Sequence, residues 1–404
     1  MRKRIFSWET KFLSKAGKEI LIKLVAQALP SYAMSVFLLT KEICASLEGM
    51  MAKFWWKAQS NSSSKGVSWF SWKCLCQHKH VGGLGFRDLC DYNLSFLGKQ
   101  GWRLLTKKDT LLERIYKARY YPNGSFLQAK LGQNPSFIWR SIWEAQALVR
   151  NGARRSIGSG ASVSILLDPW LPMGSNPFVI LDHQGLVDKK VASLMSVGEK
   201  SWDLEILDDM FVERDKNLIM SIQLSDSTEE DLWYWHMEHS GLYTVKSVYK
   251  FLQFAAGNWL HLEEDNCWKK LWKLDVPPKV QHFLWRACTS CLPTKDFSSW
   301  FFALLEEDRG DVILDAAMLI WSLWKTRNEV LWQKKSATAL RVVKSARHVL
   351  NQWMVARSQQ SLFQTGVSFH CNQWRKPENF HIKVNVDGAI FEAFQKVRVW
   401  LCGS

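Results

Sequence analysis

The chain has 404 residues, a formal net charge of +15 and an isoelectric point near 9.4. That length can hold two or three domains with buried cores, and an apolar fraction of 47% is that of a globular protein. The basic balance suits a polyanionic partner and gives no reason to expect a small-molecule substrate. The most apolar later run, Val312 to Trp324, contains Asp315 and falls short of the roughly 20 residues needed to cross a bilayer, so no membrane span is expected.

Charge is distributed unevenly. Residues 1–160 hold 26 Lys+Arg against 9 Asp+Glu, residues 161–266 hold 7 against 18, and residues 267–404 hold 20 against 11. A basic front, an acidic middle and a basic tail suggest separate modules, with a nucleic acid preferring the ends. The 23 tryptophans sit mostly in apolar runs and are read as core residues rather than base-stacking ones. Nine cysteines form no dense framework, and with no signal peptide they are expected to be reduced thiols in a nuclear or cytoplasmic setting.

Along the chain, Leu13, Ala16, Ile20, Leu21, Leu24, Val25, Ala28 and Leu29 recur at helical spacing and predict one apolar face. Pro30 ends that helix because it lacks the N–H to continue it. Ile43, Leu47, Met50, Met51 and Phe54 predict a second amphipathic helix. Lys11, Lys15 and Lys18 share one face, with Lys23 beyond them. Such a stripe fits a solvated surface or a phosphate-tracking one. Residues 59–66 form a polar loop or linker. Gly82-Gly83-Leu84-Gly85 reads as a tight turn, since it lacks the Lys-Ser/Thr of a phosphate loop. Cys74, Cys76, His78 and His80 alternate, but on a strand they would step about 6.5 Å apart, too spread for one tetrahedral ion. Asn93 to Tyr121 is predicted helical, and Ser162 to Leu167 a strand ended by Asp168-Pro169.

Further on, 199–238 reads as helix and loop, Gly241 to Val245 as a short strand, Lys246 to Phe254 as a helix and Asp311 to Trp332 as a long helix. Ile382 to Phe391 alternates like a strand, placing Lys383, Asn385 and Asp387 on one face. Cys288 and Cys291 form a Cys-x-x-Cys pair with His282 six residues earlier. A second pair would make a zinc site. No cysteine lies between Cys291 and Cys371, and buried or free thiols are preferred.

Several blocks carry a resemblance. Ser7-Trp-Glu-Thr-Lys through Ala28-Leu-Pro-Ser-Tyr to Phe54-Trp55-Trp56 resembles the segment after the polymerase palm in plant LINE-type (non-LTR) retrotransposon reverse transcriptases. Trp72 with Gly82-Gly-Leu-Gly-Phe86 and Arg87-Asp-Leu89 resembles a recurrent signature of the same polyprotein. Trp268-x3-Trp272, Val276-Pro-Pro-Lys-Val280, Phe283-Leu-Trp-Arg286 and Cys291-Leu-Pro-Thr294 resemble the start of its zinc-binding domain. Val384-Asn-Val-Asp387-Gly resembles the first strand of an RNase H domain.

The resemblance implies a mostly α fold with short β segments (α+β), a multi-module fragment with no complete RNase H or polymerase palm. It divides the chain into a thumb-like helical segment 1–58, a basic, mostly helical connection region 59–160 and an acidic α+β linker region 161–266. A truncated zinc-binding domain 267–300, a helical linker 301–370 and the truncated first strands of an RNase H-like domain 380–404 follow. Asp387 would match the first metal-binding carboxylate, left vestigial in an incomplete site. Lys11, Lys15, Lys18 and Lys23 would lie beside nucleic acid, and Cys288 and Cys291 would be half of a metal site. Mg²⁺ and Zn²⁺ are expected only in the intact family, and no cofactor for this chain. The implied function is non-specific RNA or DNA binding by a non-catalytic remnant. Alternatives are a truncated gene model of an active enzyme, with RNA-directed DNA polymerase and RNA–DNA hybrid ribonuclease activity, and a small zinc-dependent interaction module.

Overall fold

The computed structural model describes the chain except residues 10–12, 58–66, 175, 181–182, 197–200, 225–229, 260–265, 293–295, 308, 336, 367–383, 392–395 and 404. Helices dominate. The first block comprises α1 (Arg2–Glu9), α2 (Lys15–Leu21) continued by a π-helical turn (Ile22–Ala26), α3 (Ser31–Met34), α4 (Lys41–Trp56) and α5 (Trp72–Cys76). Next come α6 (Leu89–Thr106), α7 (Leu111–Tyr120), α8 (Phe137–Glu144) and α9 (Gln146–Gly152), leading into strand β1 (Ala153–Ser156). The acidic middle holds α10 (Leu204–Met210), α11 (Glu213–Met220) and strand β2 (Leu232–Trp235). Then follow α12 (Val245–Ala255), α13 (Asn266–Lys273), α14 (Pro278–Cys288), α15 (Phe297–Glu306), α16 (Gly310–Gln333), α17 (Ala339–Gly366) and strands β3 (Val384–Phe391) and β4 (Lys396–Gly403). The mostly α class with short β segments is the one the sequence implies.

Local chemistry sets the helix starts. Thr40, Ser71, Asp88, Thr110, Ser136 and Thr244 each accept a backbone N–H from the first turn of the helix they precede, satisfying a donor that has no partner within the helix. Pro278 opens α14 where its missing N–H costs nothing. The predicted helix 93–121 is two helices, because the chain leaves α6 at Lys107 and Thr110 caps a new start.

The predicted strand 162–167 is not formed; only Ser164 bridges, to Lys190. The Asp168 carboxylate accepts the Ser164 N–H at 2.8 Å and curls the segment into a turn. Gly241 to Val245 is likewise not a strand. Trp235 N–H donates to the Gly241 carbonyl at 2.6 Å, and Gly241 takes a left-handed φ of +68° that glycine adopts freely. The strand lies just upstream as β2, antiparallel to β1 with Ala153 opposite Trp235. β3 pairs antiparallel with β4, Asp387 facing Trp400. Among the described residues no further strand joins either pair.

Two cores bear on the site. One joins the N-terminal block to the far end of the chain, with Trp55, Phe54, Met51 and Phe86 packed among Trp285, Leu284, Val280, Phe301 and Ala317. The other gathers Tyr116, Tyr121, Phe126, Trp139 and Ile142 under α6, α7 and α8. The glycine turn fastens the first. A Cβ on Gly83 would fall 2.0 Å from the Gln77 carbonyl oxygen, and the Gly82 carbonyl accepts the Trp285 indole N–H at 2.8 Å.

Candidate nucleic-acid interface

The helix that carries the lysine stripe turns differently from its apolar pattern. Ile20 and Leu24 are exposed, while Lys18, Glu19, Ile22 and Ala26 are buried. The cause is a polar hub. Glu19 takes the His282 Nε2 of α14 at 3.0 Å, Lys23 Nζ at 2.6 Å and Lys79 Nζ at 2.9 Å. Burial by itself would raise the Glu19 pKa, but the His282 hydrogen bond and the two ammonium charges outweigh it and hold the carboxyl well below its usual range.

The described lysines of the stripe face inward. Lys15 Nζ donates to the Trp55 carbonyl and sits 4.9 Å from the Trp55 ring centroid and 5.5 Å from that of Trp56. Burial, with Lys18 and Arg286 nearby, pushes its pKa down to about 7. Lys18 is 6% exposed and donates to the Lys57 carbonyl at 2.7 Å. Lys23 is paired with Glu19. Lys11 lies outside the described residues.

Exposed cationic side chains do occur, on two other elements. Arg103, Lys107 and Lys108 at the end of α6, and Arg114, Lys117 and Arg119 on α7, are all exposed. The interleaved Leu111, Leu112 and Ile115 are exposed as well, so α7 presents a basic and apolar outer face. Sequence reasoning misses these side chains. The spacing of Arg114 and Lys117 is the available signal, obscured because 93–121 reads as one apolar-faced helix.

Cys288 ends α14 and Cys291 follows a turn in which Ser290 takes a φ of +55°. Both thiols are buried. Burial, with Cys267 close by, pushes Cys288 up to about 12. Burial also raises Cys291, against the pull of the Thr289 hydroxyl, Arg286 and Lys15. His282, the third candidate, spends Nε2 on Glu19. Among the described residues no three His, Cys, Asp or Glu groups are placed to hold an ion. Asp387 lies on β3, in register with Trp400 of β4.

No described helix is long and apolar enough to cross a membrane. The family model for the zinc-binding domain in reverse transcriptase matches residues 243–301, from Tyr243 beside the second core to α15. An Arabidopsis thaliana protein named "Uncharacterized mitochondrial protein" is 41% identical over 145 residues, 36% of this chain and 93% of that protein. A second Arabidopsis thaliana protein, named "Putative ribonuclease H protein", is 26% identical over 303 residues, 72% of this chain. The chain spans 47% of the length of that second relative. With Trp268, Val280, Trp285 and Cys291 lying inside the matched domain, the chain belongs to the reverse transcriptase and ribonuclease H family of retrotransposon-derived proteins.

Proposed function

We propose that this chain is a nucleic-acid-binding, non-catalytic part of a LINE-type (non-LTR) retrotransposon polyprotein, holding RNA or DNA through phosphate contacts without strong sequence preference. The observation that carries the reading is the set of exposed cationic side chains between Arg103 and Arg119, in a segment of 26 basic against 9 acidic residues. Exposed guanidinium and ammonium groups along one surface neutralise successive phosphates and release their counterions. A nuclear or cytoplasmic location accompanies this reading, since the nine cysteines form no dense disulfide framework.

The test is a titration of the full chain with labelled single strand and duplex at two salt concentrations. Binding that weakens steeply with salt supports the reading; salt-independent binding, or none at low salt, contradicts it. The extent of the ribonuclease H relative beyond this chain favours a second reading, in which the segment serves an enzyme that copies RNA and cuts RNA–DNA hybrids. Mg²⁺-dependent hybrid cleavage abolished by Asp387→Asn would favour that second reading over the non-catalytic one.

A further inference from the structure

Helices α16 and α17 fold back on each other as a hairpin. Towards its base Ala317, Met318, Ala346 and Leu350 are buried. At its tip α16 ends at Gln333 and α17 begins at Ala339, and the side chains beside the turn stand in solvent. Trp332 is 82% exposed, against 51% and 52% for Trp69 and Trp300. It departs from the core role expected of the tryptophans, and its ring is open to a ligand. Lys334 next to it closes α16 with a left-handed φ of +55°, and its N–H donates to the Val330 carbonyl at 3.1 Å. Glycine is the residue that takes such a cap without strain. A lysine there accepts the strain and fixes a cation two residues from the exposed indole.

Charge indicates what the tip meets. Residues 325–347 hold seven Lys+Arg against one Asp+Glu. Lys325 lies 3.6 Å from that one acid, Glu329, and Arg347 lies 3.4 Å from Asp315. Lys334, Lys335, Arg341 and Lys344 are exposed and take no acidic partner among the described residues. We propose that the hairpin tip binds an unpaired stretch of RNA or DNA, with a base stacked on Trp332 and the flanking phosphates met by these four cations. Stacking on an aromatic side chain needs a base whose face is free, so the tip selects single strands. Phosphate contacts through Arg114 and Lys117 on α7 take duplex as well. Leu331 and Leu340 are 55% and 65% exposed beside the turn, which would also suit a second copy of the chain. That copy would set the same four cations against these, and like charges oppose the contact. The inference rests on the proposed function and adds to it a site that distinguishes strand forms.

The experiment uses the full chain. Labelled single strands of mixed sequence, RNA and DNA, and the matching duplexes are titrated by anisotropy at one low salt concentration. Variants are Trp332→Ala, Trp332→Phe, Lys334→Gly and, away from the tip, Arg114→Glu. Trp332→Ala is expected to weaken single-strand binding about tenfold, or about 1.4 kcal/mol, the scale of one base–aromatic stack. Duplex binding and the melting temperature should not move, because the side chain is exposed. Trp332→Phe keeps a ring and should recover most of the loss. Lys334→Gly should also lose single-strand affinity while melting at the same temperature or higher, since glycine suits the left-handed cap. That opposition separates a ligand contact from a structural one. Single-strand affinity unmoved by Trp332→Ala, or single-strand and duplex affinities falling alike, overturns the site. So does a Trp332→Ala chain that sediments as a smaller species than wild type with its nucleic-acid affinity unchanged, which assigns the tip to contact between copies. If the tip fails while Arg114→Glu still weakens both strand forms, the proposed function stands; no binding of either form removes both.

Discussion

Glu19 and His282 meet at 3.0 Å, 263 residues apart in sequence, and join the N-terminal helix α2 to helix α14 of the reverse-transcriptase zinc-binding domain. Around them Trp55 and Trp272 stand tilted or edge-on to the imidazole at 5.8 and 5.7 Å. The lysine-bearing segment and the matched domain are therefore one packed unit. Removing the carboxylate strands Lys23, Lys79 and His282 in partly buried surroundings. Glu19→Ala should lower unfolding free energy by about 3 kcal/mol, as expected when one partner of a buried pair is lost. The sign with pH follows from the depressed pKa. The stabilisation is present above the unfolded carboxyl pKa, about 4.3, and is lost as pH falls towards the folded value. Urea unfolding of wild type and variant should differ at pH 7 and converge in strong acid.

Lys15 predicts a mutational effect of the opposite sign. Its folded pKa of about 7 lies below the ordinary lysine value of 10.5, so from pH 7 to about 10.5 the unfolded chain binds the extra proton and this group makes stability rise with pH. Lys15→Met removes a desolvated charge and keeps the apolar stem. It should raise the melting temperature at pH 6, with the gain shrinking towards pH 10. A destabilised variant at pH 6 would show that the Trp55 carbonyl and ring contacts outweigh desolvation.

Legibility in the sequence follows the kind of force involved. Apolar period gives α4, α12 and α16 nearly to their ends, and Thr40 and Thr244 cap the first two by local hydrogen bonds. The orientation of α2 is not legible. Its period points Ile20 and Leu24 at a core, yet an ionic hub assembled from residues 79 and 282 draws Glu19 inward instead, and no local pattern encodes a partner that far away. The turn at 164–168 escapes for a similar reason, since one side chain–backbone bond from Asp168 decides it. Gly83 reads as a tight turn, and its contact with Gln77 explains why. Cys288 and Cys291 stand out by spacing, but spacing is blind to the burial of both thiols.

A second acid switch lies at the start of α6. Glu48 accepts the Leu89 N–H at 2.8 Å. Burial, together with the charges of Asp88 and Asp91, raises its pKa to about 7 against the Leu89 hydrogen bond. Asp91 is raised to about 6, first by burial and then by Asp88, with Gln253 opposing. Raised acid pKa values mean that the folded chain holds protons the unfolded chain has released, so these groups cost stability as pH climbs from about 4 to 7. Glu48→Gln keeps the acceptor oxygen without the charge. It should be neutral at pH 4 and stabilising at pH 8 in thermal melts.

Metal content is a direct check on the thiol environment. Purified chain should carry well under one zinc per molecule by elemental analysis, and a chelator should leave its melting temperature unchanged. Stoichiometric zinc that disappears in Cys288→Ser and Cys291→Ser would show that those thiols ionise despite their burial.

The most direct test of the central claim is the salt dependence of RNA and DNA binding by the full chain, wild type against Arg114→Glu with Lys117→Glu. Both side chains are exposed on α7, so the fold should survive the exchange. The account predicts that affinity for any sequence falls steeply with salt, and that the double variant binds at least tenfold more weakly with a shallower salt slope by about 2, roughly one per lost phosphate contact. Wild-type affinity and slope in the variant would contradict it.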